Sequence, residues 1–195
     1  MKQTKRVVIK RSKKAALILM VPATTLLFAG CGENREQALV YSSPSECAEA
    51  GFNTPEQCRA DFANAQALHP QVAPKYLNKE ECETDFGPGQ CETAPQQTAQ
   101  GGSVFMPMMM GFLAGQMMGN NASNLQQPAG SKVPTQPLYK SRDDRGTFRT
   151  ATNAPVAKTI GPITLKPSQV QPQVGQVVRR GGFGAQAAAR NSFGG

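Results

Sequence analysis

The side chains best suited to chemistry in this chain are its five cysteines and its single histidine. A nucleophilic thiol needs a neighbouring base, and His69 is the one imidazole available. His69 precedes a proline at the predicted end of a helix, where a solvated cation is its usual role. The paired cysteines are also too widely spaced for the close pairs of zinc or redox sites. We therefore expect no catalytic residue, no metal site and no cofactor.

Four of the cysteines belong to an internal repeat. Cys47 and Cys58 in the first copy correspond to Cys82 and Cys91 in the second, and in each copy Gln directly precedes the second cysteine. An even number of cysteines in an exported chain predicts disulfides. The repeat favours the bridges Cys47–Cys58 and Cys82–Cys91. Pairing across the copies, free thiols and metal-bound thiols are the alternatives.

The repeat also carries helix signals. Ser43, Thr54 and Asn78 are each followed three residues later by Glu or Gln, which is the pattern of a capping box. The second of these helices is predicted to run to about Leu68, before a His-Pro pair. Residues 41–92 are thus predicted to form a duplicated, cysteine-containing helical module.

The N-terminus has the pattern of a secretory signal. Residues 1–30 contain seven Lys and Arg and no acid, and residues 15–28 are an uninterrupted apolar run. The ending Leu-Phe-Ala-Gly-Cys31 resembles the lipobox of bacterial lipoproteins. The resemblance implies removal of the signal peptide 1–30 and diacylglyceryl attachment to Cys31. An ordinary signal peptide is the alternative.

Lipidation would make the chain a durable membrane resident, because two or more acyl chains hold a protein far more firmly than one. We expect an exported protein, lipid-anchored in the cell envelope, with residues 31–40 as a tether. Gly32 is not an Asp-type retention signal. The periplasmic face of the outer membrane is the expected location in a cell with two membranes.

Residues 103–119 form an uncharged, strongly apolar segment. Gly111, Gly115 and Gly119 fall at every fourth position, and small residues at that spacing allow two helices to pack closely. We predict an apolar helix with these glycines on its packing face. It could pack on the cysteine module, self-associate or dock to a membrane protein, or lie in the bilayer surface.

The formal charge of +8 divides unevenly along the chain. Residues 31–92 have four Lys and Arg against eleven Asp and Glu, a net of −7, whereas 93–195 have ten against two, a net of +8. The basic part could meet phosphates of lipid or lipopolysaccharide, or acidic cell-wall groups. An exported chain with one Arg-Gly-Gly sequence is not expected to bind nucleic acid.

The composition argues against a large core. Beyond residue 30, Leu, Ile, Val and Phe make up 26 of 165 residues, and Pro, Gly and Gln make up 35 of the 103 residues in 93–195. The predicted fold is mostly disordered, with a small α-helical, disulfide-stapled module and one apolar glycine-spaced helix. Residues 93–102 are predicted as a linker and 120–195 as a basic low-complexity tail.

Several segments together resemble one family over nearly the whole chain. They are the Cys31 box, Asp-Phe-Gly-Pro-Gly-Gln-Cys at 85–91, Phe-Met-Pro-Met at 105–108 with its glycines, and Arg-Gly-Gly-Phe-Gly at 180–184. The chain resembles the YgiB family of uncharacterised bacterial envelope proteins. The resemblance implies no catalytic residue, ligand or activity.

The sequence favours a non-enzymatic cell-envelope lipoprotein with a structural or interaction role. Its partners would be the membrane, through the lipid anchor, and an envelope protein or anionic envelope polymer. The alternative is a self-associating, membrane-active protein that uses the glycine-spaced helix 104–119.

Overall fold

In the described part of the chain, one strand and three consecutive helices are followed by seven strands, a 3-10 helix and a last helix. The structure is a computed structural model that describes residues 33–115 and 133–193. The predicted signal peptide 1–30, the predicted lipidation site Cys31 and Gly119 lie outside the described residues. The prediction of a mostly disordered chain is wrong, because the described part is a mixed α/β fold.

The elements are short and follow one another closely. The helices are α1 (Pro44–Ala50), α2 (Pro55–Val72), α3 (Lys79–Phe86) and α4 (Ala185–Phe193), with a 3-10 helix at Pro167–Val170. The strands are β1 (Glu36–Tyr41), β2 (Cys91–Gln97), β3 (Ser103–Pro107), β4 (Gly111–Gly115), β5 (Gln136–Leu138), β6 (Phe148–Arg149), β7 (Pro155–Ala157) and β8 (Gly161–Leu165).

Strand β1 lies inside a four-stranded antiparallel sheet of order β5-β4-β1-β8. Ala38 pairs with Gly115 of β4 on one side and with Ile163 of β8 on the other. The tether predicted for 31–40 is therefore wrong over its second half, which is the start of this inner strand. The sequence pattern did not indicate a strand here, because the apolar part of β1 is only four residues long and follows acidic and polar residues.

Side chains pack on both faces of the sheet. Because both faces of each inner strand contribute to a core, the few aliphatic residues of the chain suffice. Successive residues of a strand point to opposite faces. Leu39 and Tyr41 therefore share a cluster with Phe112 and the cysteines of α1 and α2, while Ala38 and Val40 pack on the opposite face. That second layer includes Phe148, Val156 and Ala157 from the β6–β7 hairpin and Val170 from the 3-10 helix.

The predicted helix starts are confirmed. The side chains of Ser43, Thr54 and Asn78 each accept a hydrogen bond from the backbone N–H three residues later. The predicted end of α2 near Leu68 is wrong, since the helix continues through Pro70 to Val72. A proline removes only its own N–H from the ladder, and the Ala73 N–H still reaches the His69 carbonyl at 2.9 Å.

Two disulfides join these helices to their neighbours. The Cys47–Cys58 bridge links α1 to α2, and the Cys82–Cys91 bridge links α3 to β2, with Cα separations of 5.7 and 6.2 Å. Both are the within-repeat bridges, and all four cysteines are buried. Each closes a short loop, and on the chain-entropy model loops of this size contribute about 3 kcal/mol of stability.

The prediction of a glycine-spaced helix over 103–119 is wrong for residues 103–115, the part of the segment that the structure describes. Its described residues form β3, a short loop and β4, so Gly111 and Gly115 begin and end a strand and do not share a helix face. The segment forms strands because β4 pairs with β1 and β3 pairs with β2. Within the described ranges, no helix is long and apolar enough to span a membrane.

The linker and the tail are also structured where they are described. Residues 93–97 continue β2, which pairs with β3 as a hairpin. Strands β5 to β8 and α4 come from the predicted low-complexity tail. Strands β5 and β8 pair with β4 and β1, and β6 pairs with β7 in a hairpin, none of which local composition reveals. Around the β2–β3 hairpin lies a separate aromatic core whose ring-bearing buried members are Tyr76, Phe86, Tyr139 and Phe183.

Gly111→Ala tests the close approach between strands. A Cβ at this position would lie 2.6 Å from the Tyr41 carbonyl oxygen and 2.8 Å from the Phe148 ring. We expect the free energy of unfolding to fall by about 1–3 kcal/mol, measured by urea denaturation. Were the segment helical, the same change would stabilise it by about 1 kcal/mol. Gly146→Ala is the matched control, because its Cβ would meet nothing closer than 3.8 Å.

Candidate functional site

The buried carboxylate of Asp85, near the end of α3, connects the acidic module to the basic tail. Its oxygens accept hydrogen bonds from the Tyr76 hydroxyl at 2.9 Å and from the backbone N–H groups of Gly181, Gly182 and Phe183 at 2.6, 3.1 and 3.2 Å. Four donors converge on one carboxylate. The tail therefore folds back onto the acidic module over this contact.

Two glycines in the local sequence explain why three successive N–H groups can point at the Asp85 carboxylate. Gly181 has φ 73°, a conformation that residues with a side chain rarely adopt. A Cβ on Gly182 would collide with the Val178 side chain and with the Arg179 carbonyl. The two glycines thus let three successive N–H groups approach the Asp85 carboxylate.

Phe183 anchors the turn by packing its ring into the aromatic core. Its ring lies 4.7 Å from the ring of Phe86 and 6.3 Å from that of Tyr139, measured between centroids.

Burial and the adjacent Asp85 raise the pKa of the Tyr76 hydroxyl well above its usual range, so it stays protonated and donates. The contact combines charge-assisted hydrogen bonds with an aromatic anchor.

His69 lies in the same aromatic core and is not the solvated cation that its position beside a proline predicts. It is 7% exposed, with Nδ1 2.8 Å from the Tyr139 hydroxyl and Nε2 3.1 Å from the Glu92 carboxylate. Burial lowers the pKa of His69 and outweighs the opposing effect of Glu92. Both ring nitrogens are occupied, so the imidazole is not positioned as a free base.

A cleft of about 520 Å³ opens beside the Asp85 contact. Arg142, Arg180 and Arg190 line it, together with Asp85 and Asp143. We call it the arginine cleft. Arg142 is placed by its own backbone N–H, which donates to the Asp85 carbonyl at 2.7 Å. Guanidinium groups gathered in this way can bind an anion.

Asp143 is already engaged with the protein. One of its carboxylate oxygens accepts the N–H of Gln186, in the first turn of α4, at 2.9 Å. Partial burial acts to raise the pKa of Asp143, but hydrogen bonds from the Gln186 and Ala185 N–H groups help to lower it below its usual value. This carboxylate therefore caps α4 and stays ionised.

The predicted site residues are distributed as follows. The four cysteines of the module form its two disulfides, and Gly111 and Gly115 bound β4. Cys31 and Gly119 lie outside the described residues. Across 33–115 and 133–193, no group of three or more His, Cys, Asp or Glu side chains is arranged to hold a metal ion.

Sequence reasoning missed the Asp85 contact and the arginine cleft, although both are built from segments that it singled out. The Asp-Phe-Gly-Pro-Gly sequence at 85–89 and the Arg-Gly-Gly-Phe sequence at 180–183 are the two segments that meet. The opposite charges of the two halves were the available signal. Charge alone does not specify which acid meets which turn, and three of the four donors are backbone N–H groups.

Asp85→Asn tests the contact that holds the tail. The change removes the charge and directs an amide N–H₂ toward backbone N–H groups, so we expect a loss of about 2–3 kcal/mol in the free energy of unfolding. Amide hydrogen exchange at Gly181–Phe183 should accelerate with it. Glu80→Gln, an exposed position on the same helix, is the control and should cost less than about 0.5 kcal/mol. Equal losses in the two variants would contradict the assignment.

His69 predicts a pH dependence of stability. Its pKa is lower in the folded chain than in the unfolded chain, where it is about 6.5, so the unfolded chain binds more protons as the pH falls below that value. The free energy of unfolding should therefore decrease between pH 7 and pH 5, by up to about 1.4 kcal/mol per pH unit. Urea denaturation of the wild type and of His69→Gln isolates this contribution. Equal slopes in the two proteins would exclude it.

No solved structure was found to match the chain. A family model described as a protein of unknown function, DUF1190, matches residues 35–194. The match covers the sheet, both disulfides, the Asp85 contact and the arginine cleft. The chain therefore belongs to the DUF1190 family, a bacterial family of unknown function.

Proposed function

We propose that this protein is a non-enzymatic, lipid-anchored protein of the cell envelope whose folded domain has a structural or interaction role. The observation that carries the proposal is the pair of buried disulfides in a domain that begins a few residues after Cys31. Each part of the proposal has its own support.

The disulfides favour an oxidising compartment. Cys47, Cys58 and Cys82 are fully buried and Cys91 nearly so, and each bridge ties a short helix to its neighbour. Structural disulfides of this kind persist in exported proteins and are rare in reducing compartments. They support export of the chain, in agreement with its signal-like N-terminus.

The spacing between Cys31 and the domain favours a function close to the membrane. Strand β1 begins at Glu36. Five residues of extended chain reach at most about 18 Å. An acyl anchor on Cys31 would therefore hold this domain near the membrane surface, at the periplasmic face of the outer membrane in a cell that has one.

The engagement of the single histidine supports a non-enzymatic role. His69 Nδ1 and Nε2 are occupied by Tyr139 and Glu92, and the ring is buried. The four module cysteines are consumed in disulfides, so they offer no thiol nucleophile. The polar groups that reach the surface near Asp85 include three arginines, which suit binding.

Within DUF1190, we assign the chain to the YgiB-like envelope proteins. The support is the order of its motifs, from the Cys31 box through the 85–91 segment to the Arg-Gly-Gly-Phe-Gly sequence at 180–184. The alternative of a self-associating protein that uses a helix at 104–119 is withdrawn, because that segment forms strands where it is described.

Cys31→Ser tests the anchor. We expect the variant to lose acyl labelling, to keep its uncleaved N-terminus and run more slowly in electrophoresis, and to be absent from the outer-membrane fraction of a cell with two membranes. Gly32→Ser is the matched control, since it changes the adjacent residue and retains the thiol. A Cys31→Ser variant that stays in the washed membrane fraction with wild-type mobility would refute the lipid anchor.

A further inference from the structure

The arginine cleft collects cations from three separate parts of the chain. Arg142 comes from the loop after β5, Arg180 from the turn that holds Asp85, and Arg190 from α4. Three independent segments thus contribute one guanidinium each to a single concave surface. The 520 Å³ of the cleft is within the size range of small-molecule sites.

Within the part of the chain that the structure describes, the acids of the cleft form no salt bridge with these arginines, and the three guanidinium groups outnumber the two carboxylates. Asp85 already receives four hydrogen bonds from Tyr76 and the backbone, and Asp143 caps α4. Among the described residues, Arg142 and Arg180 form no side-chain hydrogen bond and no ion pair, and Arg190 donates to the Gly181 carbonyl. Most guanidinium N–H groups of the cleft are therefore available to a ligand.

Arg149 shows what a structural arginine looks like in the same region. It is buried, and its guanidinium donates to the Asp144 carboxylate at 2.9 Å and to the Asn153 carbonyl at 3.2 Å. Its charge is used to hold the β6–β7 hairpin and the loop before it. The exposed arginines of the cleft have no such assignment within the fold.

The chemistry of three guanidinium groups favours a phosphate over a carboxylate. Each planar guanidinium can donate two parallel hydrogen bonds to a pair of oxygens, and a tetrahedral phosphate offers more than one such pair. A carboxylate has two oxygens and matches a single guanidinium. The cleft is also larger than one phosphate ion needs, so it suits a phosphate carried on a larger body.

The floor of the cleft is fixed in place. Gly181 and Phe183 line it, and both are tied to Asp85 through their backbone N–H groups. The Phe183 ring is packed against Phe86. A rigid floor reduces the ordering that binding requires, which leaves more of the interaction energy for affinity.

We propose that the arginine cleft binds the phosphate group of a phosphorylated ligand, through Arg142, Arg180 and Arg190. The phosphate belongs to a lipid headgroup or to a soluble phosphorylated molecule. The site goes beyond the proposed envelope function and does not depend on the anchor at Cys31.

The test uses the full-length protein purified in a nonionic detergent. Binding of inorganic pyrophosphate is measured by isothermal titration calorimetry, and binding of phosphatidylglycerol is measured in mixed micelles, with phosphatidylcholine as reference. Arg142→Gln and Arg180→Gln should each weaken binding about tenfold, which corresponds to about 1.4 kcal/mol. Binding should weaken with added salt.

Arg179→Gln is the matched control. Arg179 is the exposed neighbour of Arg180 but does not line the cleft, so its loss changes the net charge equally and should alter the affinity less than twofold. Unfolding midpoints of all three variants show whether each remains folded. Arg142 and Arg180 lie in different segments, so a folding defect in one leaves the other informative.

The outcomes separate the sources of the phosphate. Binding of pyrophosphate alone identifies a soluble ligand, binding of phosphatidylglycerol alone identifies a lipid headgroup, and mutual competition identifies one site for both. Binding of neither probe overturns the proposal, as does an equal loss in the Arg179→Gln control. Because the purified protein is used, failure here leaves the Cys31 anchor standing, and failure of the anchor leaves the cleft standing.

Discussion

A carboxylate removed from water must find donors, and the burial of Asp85 therefore dictates the path of the C-terminal part of the chain. It is satisfied by one tyrosine hydroxyl and by three successive backbone N–H groups from a turn nearly a hundred residues away in sequence. The turn brings Phe183 into the aromatic core and places Arg180 and α4 beside Arg142. Without this contact neither the aromatic core nor the arginine cleft would have its present form.

The same contact changes the meaning of the charge distribution. The sequence has an acidic segment and a basic segment, and it leaves open whether the tail folds back onto the acidic module or reaches an external partner. In the fold, part of the contact between the oppositely charged segments lies within the molecule, because Asp85 lies against the basic tail. The acid is matched mainly by backbone dipoles and not by arginines, so the guanidinium groups around it keep their binding capacity.

Local signals in the sequence predicted local structure well. The three helix starts follow from Ser43, Thr54 and Asn78, since each cap is a hydrogen bond to a residue three positions away. The strands could not be predicted in this way. β1 has only four buried apolar residues and derives its stability from partners far along the chain. Gly111 is needed because strands approach closely there, but its four-residue spacing from Gly115 is also the spacing of a helix-packing face. His69 was misread for a related reason, because its partners Tyr139 and Glu92 come from other segments.

The position of β1 governs the order in which the chain can fold. This strand is near the start of the chain, yet its two neighbours are completed only at residues 115 and 165, and the Asp85 contact waits for residue 183. The disulfides span only 11 and 9 residues and can close while the chain is still emerging. A chain exported N-terminus first, as proposed, would therefore carry a disulfide-linked helical segment and a β1 strand that lacks its second partner until residue 165 arrives. During that interval the open edges of β1 are the part of the molecule most exposed to wrong pairing.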